Sequence, residues 1–128
     1  MSGRTFDNPT KPELAILKLL WRGDDLTARH IHNEIAGEFG WSYSTVRTVL
    51  ERMSEKDLIS KRTSDGVNLY AANVTKVSVL GRMISDFSTR VLELDRAPAA
   101  AFFSDSKLLS DSELGELEAM LREAEDQQ

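Results

Sequence analysis

The chain has 128 residues, 41% of them hydrophobic and 29% charged, with a formal net charge of −5 and no cysteine. This balance excludes a disordered chain, and the missing thiols exclude disulfides and thiolate metal sites, as fits a cytoplasmic protein. No stretch approaches the ~20 apolar residues of a membrane span, and the N-terminus, with Arg4, Asp7 and no apolar core, is no secretory signal, so no membrane insertion is expected.

Charge is unevenly placed. Residues 1–75 hold ten Lys or Arg against ten Asp or Glu, whereas residues 76–128 hold six against eleven. Between 41 and 62 there are five basic side chains against three acidic ones. The negative excess therefore belongs to the C-terminal part, which leaves the N-terminal part free to meet a polyanion with a modest basic footprint.

In chain order, residues 1–8 read as a flexible N-terminus. The run 13–22 begins just after Pro12, which suits a helix start, buries Leu14, Leu17, Leu20 and Trp21, and stops at Gly23. Thr27 reads as the N-cap of a second helix with Ile31, Ile35 and Phe39 on one side and Gly40 at its end. A third helix, capped by Ser42 or Ser44, places Val46, Val49, Leu50 and Met53 at the i, i+3, i+4, i+7 positions of one face. Its other side carries Ser44, Thr48, Glu51 and Glu55, flanked by Arg47 and Arg52. Hydroxyls beside guanidiniums are what an exposed helix uses to touch phosphates and base edges.

The period then changes. Leu58-Ile59-Ser60-Lys61-Arg62-Thr63 reads as a strand, Ser64-Asp65-Gly66 as a turn, and Val67-Asn68-Leu69-Tyr70-Ala71 as the returning strand. Val67, Leu69 and Ala71 are taken as the inward side, with Lys61 and Arg62 near the tip and Tyr70 on the outer side, in reach of a phosphate. Helix, helix, helix and hairpin make a winged helix-turn-helix over residues 9–74, a mainly α fold class. Its expected DNA contacts are Ser42, Ser44, Thr45, Arg47, Thr48, Arg52, Lys61, Arg62 and Tyr70.

Residues 75–128 read as a helical dimerisation domain. Val77, Leu80, Ile84, Phe87, Val91 and Leu94 are spaced 3, 4, 3, 4, 3, an a/d seam that Pro98 breaks. After Ala99-Ala100-Ala101-Phe102-Phe103, the residues Ser110 to Glu113 form a capping box opening a last helix with Leu114, Leu117, Leu121 and Ala124 on one side. A two-fold dimer supplies the second half-site that one weakly basic reading head lacks.

Other residues invite chemistry and carry none. His30 and His32, two apart on a helix, point about 200° from each other and cannot share a metal ion; His30 is expected to pair with Glu34. Asp24-Asp25 solvates a loop. Trp21 and Trp41 are packing anchors. No histidine accompanies a serine nucleophile and a carboxylate, so neither an enzyme nor a cofactor is expected.

With these elements in place, the chain resembles the penicillinase and methicillin-resistance repressor family of bacterial transcription regulators. The resemblance runs from about Lys11 to Glu123. It is carried by Leu19-Leu20-Trp21, Trp41-Ser42, Thr45-Val46-Arg47-Thr48, Arg52, Lys56-Asp57-Leu58-Ile59 and Leu109-Ser110-x-x-Glu113-Leu114. It implies a homodimeric winged-helix repressor on a double-stranded inverted-repeat operator, often with TACA/TGTA half-site cores. Thr45, Arg47 and Thr48 would lie in the recognition helix, with Arg52 and the wing on backbone. The chain departs from relatives at Tyr43, where some have proline, and at Ser44, where some have lysine. Glu51 on the exposed face either accepts from a cytosine amino group or repels phosphates.

The resemblance further implies relief of repression by a membrane sensor-protease that detects β-lactam. The matching bond lies near Phe102-Phe103, although the family pattern has asparagine where this chain has Phe102. Another branch of the family responds to copper through C-terminal cysteines, ligands this chain lacks. Two rival readings remain: a winged helix serving as a protein-interaction module, and a DNA-binding regulator that senses a small ligand directly.

Overall fold

In the computed structural model the described residues are 8–126, and the expected flexible N-terminus lies outside them apart from Asn8. The chain divides into two compact units, one ending at Thr75 and the other beginning at Lys76. Among the described residues no helix is long and apolar enough to cross a membrane.

The first helix, α1 (Lys11–Leu20), starts two residues earlier than its sequence pattern indicates. Thr10 is its N-cap and Glu13 closes a capping box with it, so Pro12 falls inside the first turn, where its missing N–H costs nothing. The buried stripe is Glu13, Ile16, Leu17 and Leu20, while Leu14 and Trp21 are half-buried. The two stripes share Leu17 and Leu20, and the buried one is centred about 60° from the expected stripe of 14, 17, 20 and 21. A glutamate can occupy the inner stripe because Lys56 Nζ meets its Oε2 at 2.9 Å. Trp21 ends the helix as C-cap and donates from Nε1 to Val74 O at 3.0 Å.

Local signals set the next two helices. Helix α2 (Ala28–Phe39) is capped by Thr27, whose Oγ1 accepts from the His30 amide at 3.1 Å, and ends at Gly40 with φ 64°. Helix α3 (Tyr43–Glu55) is capped by Ser42. Val46, Leu50 and Met53 are buried and Val49 half-buried, as the spacing requires. These residues join Ile16, Leu17, Leu20, Ile31, Ile35 and others in one cluster.

Strands β1 (Ile59–Ser64) and β2 (Val67–Ala72) pair antiparallel from Ile59↔Ala72 to Ser64↔Val67. The two-residue turn has Asp65 at φ 52° and Gly66 at φ 79°, the double positive φ of a type I′ hairpin. The inward side of β2 is opposite to expectation. Tyr70 is 5% exposed and belongs to the core, whereas Val67 is 48% exposed. The register explains this correction. Tyr70 sits opposite Lys61, on the same face as buried Ile59, and it exchanges two backbone hydrogen bonds with Leu26 on its free side.

In the second unit, α4 (Lys76–Asp86) runs into a π-helical turn at Phe87–Val91, and Glu93 at φ 55° follows it. The helix therefore stops before Leu94, short of Pro98. The Leu92 amide reaches back to Phe87 O and the Thr89 hydroxyl donates to Ser85 O at 2.9 Å, so hydroxyl competition with the backbone accompanies the change of pitch. A 3₁₀ turn at Ala100–Phe103 and helix α5 (Asp111–Asp126) complete the unit. The Ser110–Glu113 capping box forms as read, with Ser110 N to Glu113 Oε1 at 2.9 Å and Glu113 N to Ser110 Oγ at 3.2 Å.

Val77, Leu117 and Leu121, expected to face a second copy, are buried together with Ala100 inside the unit itself. The reason is close approach of α4 and α5 at Gly81, where a Cβ would lie 2.5 Å from Met120 Sδ. Leu80, Ile84 and Leu114 are half-buried, and Phe87, Val91 and Leu94 are exposed.

Candidate nucleic-acid interface

The outer face of α3 is built from its N-cap upward. Ser42 Oγ accepts from the Thr45 amide at 3.1 Å and lies 3.0 Å from Thr45 Oγ1. Thr48 Oγ1 donates back to Ser44 O at 3.1 Å, which leaves its oxygen open as an acceptor. Ser42, Ser44, Thr45, Arg47, Thr48, Glu51 and Arg52 are all exposed. Tyr43, Ser44, Arg47, Thr48 and Glu51 line a shallow hollow of about 330 Å³.

The cations of this unit fall into two kinds. Arg47, Arg52 and Lys61 are exposed and form no ion pair with a described residue. Arg62, which the sequence grouped with Lys61, has Nε bonded to Asp25 Oδ2 at 2.7 Å, so it ties the wing to the loop before α2. Its side chain is still 61% exposed. Both residues lie midway along β1, and the hairpin tip is Asp65-Gly66.

Lys56, the C-cap of α3, holds Glu13 of α1. Burial pushes the Glu13 carboxyl up, but the Thr10 amide, the Lys56 ammonium and the Thr10 hydroxyl together bring it below its ordinary value. The exit of the exposed helix is thereby fixed to the first helix.

Tyr70 does not join the outer face. Burial raises its phenol above the ordinary value, the Arg47 charge opposes that shift, and Glu51 and Tyr43 add to it. Its side chain belongs to the buried cluster that also holds Val46, Leu50 and Met53 of α3.

One basic residue escaped the sequence reading. The Arg29 guanidinium carbon, from the first turn of α2, stands 4.2 Å from the centroid of the Tyr43 ring. His32 meets the same ring edge-on, with centroids 6.0 Å apart at 81°, and its Nε2 is 2.9 Å from Trp41 O. The available signal was an arginine opening one helix of the pair and an aromatic opening the other. His30 Nε2 lies 3.8 Å from Glu34 Oε1, the expected pairing.

The second unit offers a different surface. Leu80, Met83, Ile84, Phe87, Ser88, Leu92, Pro98 and Phe103 line an apolar groove of about 470 Å³. Phe102 is 79% exposed on its 3₁₀ turn, whereas Phe103 is half-buried against the unit's core.

Comparison with known proteins adds the following. A family model described as "Penicillinase repressor" matches residues 9–123. The penicillinase repressor of Bacillus licheniformis is 22% identical over 111 residues, covering 87% of this chain and 87% of that one. The methicillin resistance regulatory protein MecI of Staphylococcus aureus (strain N315) is 22% identical over 121 residues, covering 94% of this chain and 98% of that one. The solution structure of the DNA binding domain of the repressor BlaI superposes with a TM-score of 0.50 at 20% identity, over 57% of this chain and 89% of that chain, a likeness of fold.

Proposed function

Because the chain belongs to the penicillinase repressor family, we propose that it is a DNA-binding transcriptional repressor, not an enzyme, acting in the cytoplasm as a homodimer on an inverted-repeat operator. Helix α3 enters the major groove, with Thr45, Arg47 and Thr48 toward base edges and Ser42, Ser44, Arg52 and Lys61 toward the backbone. The carrying observation is the outer face of α3, where hydroxyls stand beside two arginines that hold no carboxylate among the described residues. Occupation of an operator overlapping a promoter excludes polymerase.

The second copy docks on the apolar groove, covering Phe87, Val91, Leu92 and Leu94, each more than two-fifths exposed. Selection from random duplexes, then footprinting across a salt series, tests the reading. A two-fold symmetric site whose binding falls steeply with salt is expected. No enriched site, or weak uniform retention, would instead support a protein-interaction module.

The controlled genes are those of β-lactam resistance, and repression is relieved by a membrane sensor-protease cutting at Phe102–Phe103. Exposure of Phe102 on a turn between helices supports this part. A repressor that stays intact and bound in β-lactam-treated cells removes it.

A further inference from the structure

We infer that Arg29 is a DNA-backbone contact of this chain and that Tyr43 is the residue that positions it. The inference rests on the reading that α3 enters the groove. The first turn of α3, Tyr43-Ser44-Thr45, offers hydroxyls but no cation, and the first positive charge of that helix is Arg47, more than a turn inside its N-cap. A phosphate beside this end of α3 therefore meets only neutral donors from α3 itself. Arg29 brings a charge there from the neighbouring helix.

Three observations set Arg29 apart from an ordinary surface arginine. It is exposed and holds no ion pair with a described residue, unlike Lys56 and Arg62, each of which already holds a carboxylate. Its guanidinium is over the Tyr43 ring at 4.2 Å, and stacking over an aromatic face leaves the N–H edge free for an anion. The ring is in turn fixed, half-buried and edge-on to His32, which is anchored on the backbone just before α3. A long side chain normally loses rotamer freedom when it binds phosphate. Here the ring has restricted those rotamers before DNA arrives, and the cation moves with the helix it serves.

The chemistry of the ligand is that of a phosphodiester, so the contact adds affinity without reading sequence. The test measures the affinity of a fluorescent mixed-sequence duplex, three helical turns long, and of the site obtained by selection, across a salt series. Arg29→Gln lowers affinity for both duplexes by the same factor and reduces the slope of log affinity against log salt by about 1 per protomer, while base preference is unchanged. Tyr43→Leu gives a loss of the same kind, and Tyr43→Phe, which keeps the ring under Arg29, retains the parental salt slope. The double variant Arg29→Gln/Tyr43→Leu binds no more weakly than Arg29→Gln alone, because both changes remove one contact. Thermal melting by circular dichroism confirms that each variant is folded.

An Arg29→Gln variant with the parental salt slope, beside a parent that binds duplex, overturns this inference and leaves the repressor reading standing. A Tyr43→Leu loss that persists undiminished in the Arg29→Gln background also overturns it, since the ring would then act on its own. A parent that shows no salt-dependent duplex affinity overturns the repressor reading, and this inference with it.

Discussion

The winged-helix unit gathers twelve apolar residues into one buried cluster and, among the described residues, leaves Val67 as its large hydrophobic side chain well exposed. The C-terminal unit gathers four, and leaves Phe87, Val91, Leu92, Leu94 and Phe102 in the open. The first unit satisfies its apolar residues internally and presents hydroxyls and cations outward, a surface suited to a charged, hydrated ligand. The second keeps a small core and presents a contiguous apolar lining, a surface whose natural complement is another apolar surface. The two kinds of surface thus lie on separate units, and neither has to compromise for the other.

The sharpest way to break that contrast is to open the core of the first unit. Leu50, fully buried beneath the outer face of α3, is expected to cost about 2–5 kcal/mol on Leu50→Ala, read from urea unfolding. A loss below 1 kcal/mol would mean that the cluster is loosely packed and the first unit is not self-sufficient.

The complementary experiment charges the open face of the second unit. Phe87 is 52% exposed, so Phe87→Glu should leave the stability of the isolated protomer within about 0.5 kcal/mol. If copies meet on this groove, the same change removes more than about 2 kcal/mol of association, read by sedimentation at several concentrations. A variant that associates like the parent would locate the contact between copies elsewhere.

On the reading face, Arg47→Ala is expected to cost about 1–3 kcal/mol of operator affinity and to relax preference at one base position. Binding equal to the parent at matched salt would show that Arg47 makes no base contact. Because the side chain is exposed, unfolding should barely change.

What could be read in advance follows the range of the interaction. Thr27, Ser42 and Gly40 mark helix ends through bonds spanning three or four residues, the Ser110–Glu113 box does the same, and Asp65-Gly66 fixes a hairpin within two. Three of the misreadings turn on distant partners. Glu13 reaches the inner stripe of α1 through Lys56, 43 residues away, and Arg62 is held by Asp25, 37 residues away. Tyr70 faces inward because of Leu26, which no local pattern connects to it. On the candidate site, the outer residues of α3 were legible from helical period alone. Arg29 was not, because its partner Tyr43 lies on another helix and only the turn between α2 and α3 brings them together.

The two units also repeat one device, and the repetition supplies the smallest prediction. Thr10 with Glu13 and Ser110 with Glu113 are capping boxes, and each glutamate is reached by a lysine, Lys56 at 2.9 Å and Lys76 at 3.1 Å. In Glu13, burial raises the carboxyl while the Thr10 amide and Lys56 outweigh it. In Glu113 the Ser110 amide is the largest influence and lowers it, burial opposes, and Lys76 lowers it further. Both folded carboxyls lie below the ordinary value of 4.5, so the unfolded chain binds more protons as pH falls through that value. Both therefore contribute stability that is fully present above pH 4.5 and is lost below it, as pH falls through the folded values. Glutamine keeps the geometry of a capping box but does not titrate. Glu13→Gln and Glu113→Gln should each flatten the acid side of the stability profile by a fraction of one proton, and the double variant by both fractions. The Glu13 contribution should resist added salt better, because its side chain is 7% exposed against 26% for Glu113 and burial is the largest influence on its carboxyl. Equal sensitivity to salt would mean that solvent reaches both pairs alike, and that the first unit is no better closed here than the second.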